Sequence, residues 1–125
     1  KLTHRPIVVT HRSDGSGTTF IWTDYLSAYS PRWAADVGKG TTAKWPVGKG
    51  AAKSEGVTDL VNTTPGAIGY VEISHALQLN LPYGLVKNRQ GTVVPPTFEN
   101  ITAAAASLGS AVPDDLVFSL VDRRG

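Results

Sequence analysis

Seven consecutive residues contain the groups needed to hold a small tetrahedral oxyanion. They read Arg-Ser-Asp-Gly-Ser-Gly-Thr, at positions 12–18, between an apolar run and a stretch with helical spacing. A turn from a strand into a helix leaves backbone N–H groups without intrahelical partners, at the positive end of the helix dipole. Ser16 and Thr18 add hydroxyls, and Arg12 adds a charge with forked donor geometry. The segment therefore predicts an anion-binding site with no obvious catalyst.

The same residues also have a purely structural interpretation. Ser16 can cap the following helix, and Gly15 and Gly17 can serve the geometry of the turn alone. Two features favour binding. Arg12 stands at the end of the strand, where its guanidinium can reach the turn, and Asp14 can hold that guanidinium in place. In addition, ligands of open α/β sheets bind at the carboxyl ends of the strands, where this turn lies.

Other motifs predict neither a cofactor nor a metal. No third glycine follows at the dinucleotide spacing, and no Gly-x-x-x-x-Gly-Lys-Ser/Thr occurs. The chain has no cysteine, and its three histidines lack a ligand spacing. A phosphatase or esterase with Ser16 as nucleophile stays an alternative. His11 is close in sequence, but no third residue can be assigned to orient it, so no catalytic residue is predicted.

Charge is unevenly distributed along the 125 residues. The formal net charge of +2 is too small to indicate nucleic acid as a partner. Residues 1–53 hold eight lysines and arginines against three acidic residues, whereas residues 54–125 hold four against seven. An anion that approaches the turn would therefore meet a positive half of the chain, which affects the encounter rate. No apolar run is long enough to span a membrane.

Short strands and helices alternate in the hydrophobic pattern. This alternation predicts one α/β domain, with helices packed on a mixed or mostly parallel sheet. Pro31 should stop or interrupt the first helix, and the fourth and fifth strands should pair as a hairpin. The strands are predicted at 7–11, 44–47, 67–71, 83–86, 92–94 and 116–121, and the helices at 20–29, 58–63, 73–81 and 97–108.

Three segments form a longer pattern: residues 11–20 (HRSDGSGTTF), 44–48 (KWPVG) and 65–72 (PGAIGYVE). In order and spacing they resemble the phosphate-binding proteins of bacterial high-affinity phosphate uptake, the receptors that supply an ABC transporter. The similarity runs over nearly the whole chain. It implies the type II periplasmic-binding-protein fold, with residues 1–125 as one α/β lobe, the second of two. The N-terminal lobe of that family has no counterpart in this sequence.

The resemblance also implies roles for individual residues. Arg12 would be the cationic ligand and Asp14 the carboxylate that orients it. Ser16 would donate through its hydroxyl and its amide. Gly17 and Thr18 would donate backbone N–H groups, and Thr18 also its hydroxyl. In that family, discrimination against sulfate depends on a carboxylate that accepts the phosphate proton, and that carboxylate belongs to the other lobe.

Phosphate binding as the half-site of a solute receptor is the leading hypothesis for function. The resemblance implies inorganic phosphate, the N-terminal lobe and an ABC transporter permease as partners, and a periplasmic or extracytoplasmic location. Two alternatives stay open, the Ser16 enzyme and a structural lobe that binds no ligand. A homodimer of the lobe is a further candidate, because a lobe without its partner exposes surface that is normally covered.

Overall fold

The structure is a computed structural model that describes residues 4–88 and 90–107. The chain divides into two compact units, residues 1–75 and residues 76–125. The described elements, in order, are β1 (Val8–Arg12), α1 (Gly17–Tyr29), α2 (Pro31–Asp36), β2 (Lys49–Ala51), α3 (Lys53–Thr63), β3 (Ala67–Ile68), α4 (Ile73–Gln78), β4 (Val86–Lys87), β5 (Val93–Val94) and α5 (Phe98–Ala106).

The first unit is built on a three-stranded parallel sheet in the order β2-β1-β3. Parallel strands need crossover connections, which α1 and α2 provide between β1 and β2, and α3 provides between β2 and β3. The register sets Arg12 opposite Ala51, and Val9 opposite Ile68. All three strands therefore end at the same edge of the sheet. The predicted α/β architecture with a parallel sheet is confirmed.

Small β-branched residues fill the interior between sheet and helices. Val57 of α3 is fully buried, as are Thr10 of the central strand and Thr19 and Thr23 of α1. Each of these threonine hydroxyls has a partner: Thr10 Oγ1 donates to the Ile68 carbonyl at 3.1 Å, Thr23 Oγ1 donates to the Thr19 carbonyl at 2.8 Å, and Thr19 Oγ1 shares a hydrogen bond with Tyr70 Oη at 2.7 Å. These satisfied threonines bring helix and strand close together without leaving an orphaned polar group.

Pro31 ends the first helix as predicted, but it also begins a second one. Ser30 is at once the C-cap of α1 and the N-cap of α2, and its Oγ accepts from the Trp33 amide at 3.2 Å. Proline is well suited to the first helical position, because the N–H that it lacks would have no intrahelical partner there. The Trp33 indole donates to the Gly38 carbonyl at 3.0 Å and closes this short helix.

The predicted strand at 44–47 was wrong, since the second strand lies further along, at Lys49–Ala51. Gly48 has φ +115, and a Cβ there would lie 2.6 Å from the Val9 carbonyl oxygen. A Cβ at Gly50 would lie 3.1 Å from Cβ of Ser13. The chain therefore pairs with β1 where two glycines permit close approach. Hydrophobic periodicity does not detect such glycine contacts.

Three helix boundaries differ from the prediction by three residues or more. α1 begins at residue 17 and not at 20. α3 begins at residue 53 and not at 58. The prediction missed its first turn because that turn is polar and has no hydrophobic periodicity. α4 ends at residue 78 and not at 81. Asn80, at φ +50, takes the left-handed conformation common just beyond helix ends, and the Leu81 amide donates to the Ala76 carbonyl at 2.8 Å.

The second unit contains the predicted hairpin. β4 and β5 pair antiparallel, with Val86 opposite Val94, so the first strand lies slightly later than predicted. Asn88 Oδ1 accepts from the Thr92 amide at 2.9 Å and stabilises the turn. α5 occupies most of the predicted 97–108, whereas the strand predicted at 116–121 lies outside the described residues. Among residues 4–88 and 90–107, no helix combines the length and apolar character that crossing a membrane requires.

Replacing Gly69 with alanine should destabilise the fold. A Cβ at this position would overlap Thr10 Oγ1 and lie 2.9 Å from Val57 Cγ1, two side chains that are fully buried. We expect a loss of about 1–3 kcal/mol, as for other overpacked sites, measured by urea unfolding. Gly84→Ala is the control, because a Cβ there meets nothing within 4 Å. Equal unfolding midpoints for the two variants would contradict this close packing.

Candidate anion-binding site

The turn after β1 begins α1 with Ser16 as its N-cap. Ser16 Oγ accepts from the Thr19 amide at 3.3 Å, so the capping interpretation is correct as far as this serine is concerned. An accepting hydroxyl keeps its own proton for donation elsewhere. The Ser16 amide donates to the Thr41 carbonyl at 2.8 Å. That amide, which the resemblance assigned to the anion, is engaged by the protein itself.

The next two amides are different. Within the part of the chain that the structure describes, the N–H groups of Gly17 and Thr18 have no acceptor. Gly17 is exposed, and a Cβ built on it would meet nothing within 4 Å. The first turn of α1 therefore carries two N–H donors without a described acceptor, at the positive end of the helix dipole.

Arg12 and Asp14 form a bidentate ion pair beside this turn. Nε donates to Oδ1 at 2.8 Å and Nη2 donates to Oδ2 at 2.7 Å. The arginine side chain is only 11% exposed, so solvent screens its charge poorly. A guanidinium has five N–H donors, and the carboxylate uses two, which leaves three for a ligand. The hydrogen bonds that Arg12 donates to Asp14 raise the pKa of Arg12.

Asp14 holds a second partner. Its Oδ1 also accepts from the Lys53 amide at 3.1 Å. Lys53 begins α3 at φ +59, and the preceding Ala52 offers no side-chain cap. Asp14, which lies in another part of the chain, therefore caps the N-terminus of this helix. Hydrogen bonds from Arg12 and then from Lys53 hold the pKa of Asp14 well below its usual range.

Glu72, for which the sequence predicted no role, joins the site from the segment after β3. Its Oε1 accepts from the Thr18 hydroxyl, and its Oε2 accepts from the Ser54 hydroxyl at 2.6 Å. These two hydrogen bonds, that of Ser54 first, lower the pKa of Glu72. The available signal was topological. Glu72 follows β3, which lies parallel to β1, and parallel strands that are neighbours end at one edge of the sheet.

Tyr70 supports the turn from below, and its role was also missed. Its Oη accepts from the Arg12 amide at 3.1 Å and shares a hydrogen bond with Thr19 Oγ1 at 2.7 Å. The ring stacks against Trp45, with centroids 5.6 Å apart. Tyr70 thus joins the backbone at the end of β1 to the first turn of α1.

His11 is not placed as a catalytic base for Ser16. Its ring stacks on Trp45 at a centroid distance of 4.9 Å, and its Nδ1 lies 3.1 Å from the Arg12 carbonyl oxygen. No hydrogen bond joins His11 to Ser16. Within residues 4–88 and 90–107, no cluster of three or more histidine, cysteine, aspartate or glutamate residues could hold a metal ion.

These contacts define an α/β unit in which a helix N-terminus and a largely buried guanidinium stand at the two ends of one turn. The chain belongs to the PBP superfamily, since the family model described as a PBP superfamily domain matches residues 2–121.

Named relatives confirm the resemblance found in the sequence. The chain is similar to the phosphate-binding protein PstS of Methanocaldococcus jannaschii, at 43% identity over 91% of this chain and 31% of that protein. It is 46% identical to the PstS of Pasteurella multocida, over 85% of this chain and 31% of that protein. It is 44% identical to the PstS of Haemophilus influenzae, over 84% of this chain and 31% of that protein. The chain thus spans about a third of the length of these relatives.

Acid should destabilise the protein partly through Asp14. A lowered folded-state pKa means that the stabilisation is complete above the pKa of an unfolded aspartate and is lost as the pH falls through the folded-state value. We expect Asp14→Asn to be less stable at neutral pH and to lose less stability on acidification. Urea midpoints measured from neutral to strongly acidic pH test this. Asp59→Asn, at an exposed position of α3, should follow the parent curve. Parallel curves for Asp14→Asn and the parent would contradict the expectation.

Proposed function

We propose that this chain binds inorganic phosphate at the N-terminus of α1, as one lobe of a two-lobe solute receptor. One observation carries the proposal: the Gly17 and Thr18 amides have no acceptor in the described structure, and at the other end of the same turn Asp14 fixes the direction of the Arg12 guanidinium. The similarity to proteins named for phosphate binding supports the choice of anion.

The donors suit a tetrahedral oxyanion. Two adjacent amides bind one face, three guanidinium N–H groups remain on Arg12, and Ser16 keeps a hydroxyl proton. Directed N–H groups at a helix start favour compact anions that can accept several hydrogen bonds at once. A single lobe leaves part of the ion in water, where charge interactions are weak. We therefore expect a millimolar dissociation constant, which corresponds to a free energy of binding of about −4 kcal/mol.

In the complete receptor, we propose that a second lobe closes over the anion and that the receptor supplies phosphate to an ABC transporter permease outside the cytoplasm. The relatives, about three times longer than this chain, support that arrangement. Binding without turnover is favoured over the phosphatase or esterase alternative, because the ring of His11 is stacked on Trp45 and not directed to Ser16.

Removing the Arg12 guanidinium should weaken phosphate binding. Titration calorimetry should show at least about a tenfold loss of affinity in Arg12→Ala, the effect of losing a charged hydrogen bond. The matched control is Arg32→Ala, because that side chain is 92% exposed and its ion pair among the described residues is with Asp36, one turn away. Equal affinities in the two variants would remove Arg12 from the site. Concentration-dependent dimerisation without any response to phosphate would instead support a structural lobe.

The amide of Gly17 can be tested separately, because proline is tolerated at the first helical position. Gly17→Pro removes this N–H, and the extended Ser16 (φ −150, ψ 133) already has the conformation that a following proline requires. We expect about a three- to tenfold loss of phosphate affinity, corresponding to one hydrogen bond.

Gly17→Ala is the control for the proline variant. It keeps the N–H, and the added methyl group has free space. Unfolding midpoints confirm that both variants fold. If the proline variant bound phosphate as tightly as the alanine variant, the amide would have no part in binding.

A further inference from the structure

The backbone of Lys53 has an unfavourable conformation that serves one hydrogen bond. Lys53 begins α3 at φ +59, a value that few residues other than glycine adopt. In this conformation its amide donates to Asp14 Oδ1 at 3.1 Å. The residue is exposed, so burial of the lysine does not explain the strain. Backbone strain of this kind persists where the surrounding structure enforces it, and it is concentrated at functional sites.

We propose that Lys53 is a positioning residue for the anion site and that it acts through its backbone. Its N–H holds the carboxylate of Asp14, and that carboxylate holds the Arg12 guanidinium, so the cation has its direction before an anion arrives. The inference rests on the proposed function and adds a residue of α3 to the same site.

The physical argument concerns what holds the ion pair as a whole. Asp14 accepts two hydrogen bonds from Arg12 and one from Lys53. The two bonds from Arg12 fix the carboxylate relative to the guanidinium, but they leave the two side chains free to move together. Of the three bonds, only that of Lys53 joins the pair to another element of the fold. Without it, the pair must be ordered when the anion binds, and this ordering weakens affinity.

Coupling of this kind acts in both directions. If the contact between Lys53 and Asp14 strengthens anion binding by a given factor, then a bound anion strengthens that contact by the same factor. The inference therefore predicts an effect of residue 53 on phosphate affinity, and an effect of phosphate on the amide of residue 53.

Three substitutions at position 53 separate the backbone from the charge. Lys53→Gly, Lys53→Ala and Lys53→Val all remove the ammonium group. They differ in backbone preference, because glycine adopts positive φ freely, alanine does so with strain, and β-branched valine hardly does so at all. Titration calorimetry of the 125-residue chain with inorganic phosphate should give affinities that fall in that order. We expect at least about a threefold loss from glycine to valine, the effect of one weak hydrogen bond.

Asn80→Gly and Asn80→Val are the matched controls for strain. Asn80 is the other non-glycine residue at positive φ (+50) in the part of the chain that the structure describes, and its amide donates to the Leu77 carbonyl. The two variants at position 80 should differ in their urea unfolding midpoints, as the glycine and valine variants at position 53 do, but not in phosphate affinity. A purely structural role for Lys53 would make the two positions behave alike.

Hydrogen exchange of the parent chain provides a measurement that needs no variant. Saturating phosphate should slow exchange of the Lys53 amide by about threefold or more, because the coupling is reciprocal. The Trp33 amide is the control, since it also lies in the first turn of a helix and donates to a side-chain oxygen, Ser30 Oγ. Its exchange rate, measured by NMR in the same samples, should not change.

Equal phosphate affinities in the folded glycine and valine variants at position 53 would overturn the inference, as would a Lys53 amide whose exchange does not respond to phosphate. Phosphate binding by the parent chain would stand in both cases. If the valine variant did not fold, the comparison of glycine with alanine and the exchange measurement would decide. A parent chain that does not bind phosphate would overturn the proposed function and the inference with it.

Discussion

The site depends on the carboxylate of Asp14, because two otherwise separate parts of the fold meet there. It accepts two hydrogen bonds from the Arg12 guanidinium and one from the Lys53 amide. It therefore directs the cation at the end of β1 and caps α3 at the same time. Lys53 takes the left-handed conformation that aims its N–H at this carboxylate. The orientation of the guanidinium is consequently tied to the packing of α3 on the sheet.

Parallel topology brings the remaining groups to the same edge. Arg12, Ser54 and Glu72 are far apart in sequence, yet each follows or ends a strand of one sheet. Glycine makes this convergence possible where strands and helix approach closely, as at Gly50 and Gly69. Tyr70 then joins β1 to α1 through one hydroxyl group. The unit thus positions its donors through short contacts between element ends and needs few large apolar side chains.

Whether the sequence could predict a feature depended on how far apart in the chain its interacting residues lie. The turn at 12–18, the helix after it and the hairpin depend on local preferences, and these were predicted correctly. β2 was misplaced because its three residues (KGA) pair through glycine contacts that have no periodic signal. Glu72 and Tyr70 were missed because their partners lie 54 and 58 residues away. The acceptor of the Ser16 amide, Thr41, lies in a loop that no pattern could have located.

Two carboxylates beside a candidate anion site need a physical explanation. Asp14 is neutralised by Arg12, and Glu72 is held by two hydroxyls, so the formal charge of these three groups is negative. Attraction by net charge therefore cannot be what holds an anion here. Recognition must come from donors with fixed directions: the Gly17 and Thr18 amides and the unused guanidinium N–H groups. Such donors favour an ion whose acceptor atoms match them in number and direction. They stabilise an anion without matching acceptors much less, whatever its charge.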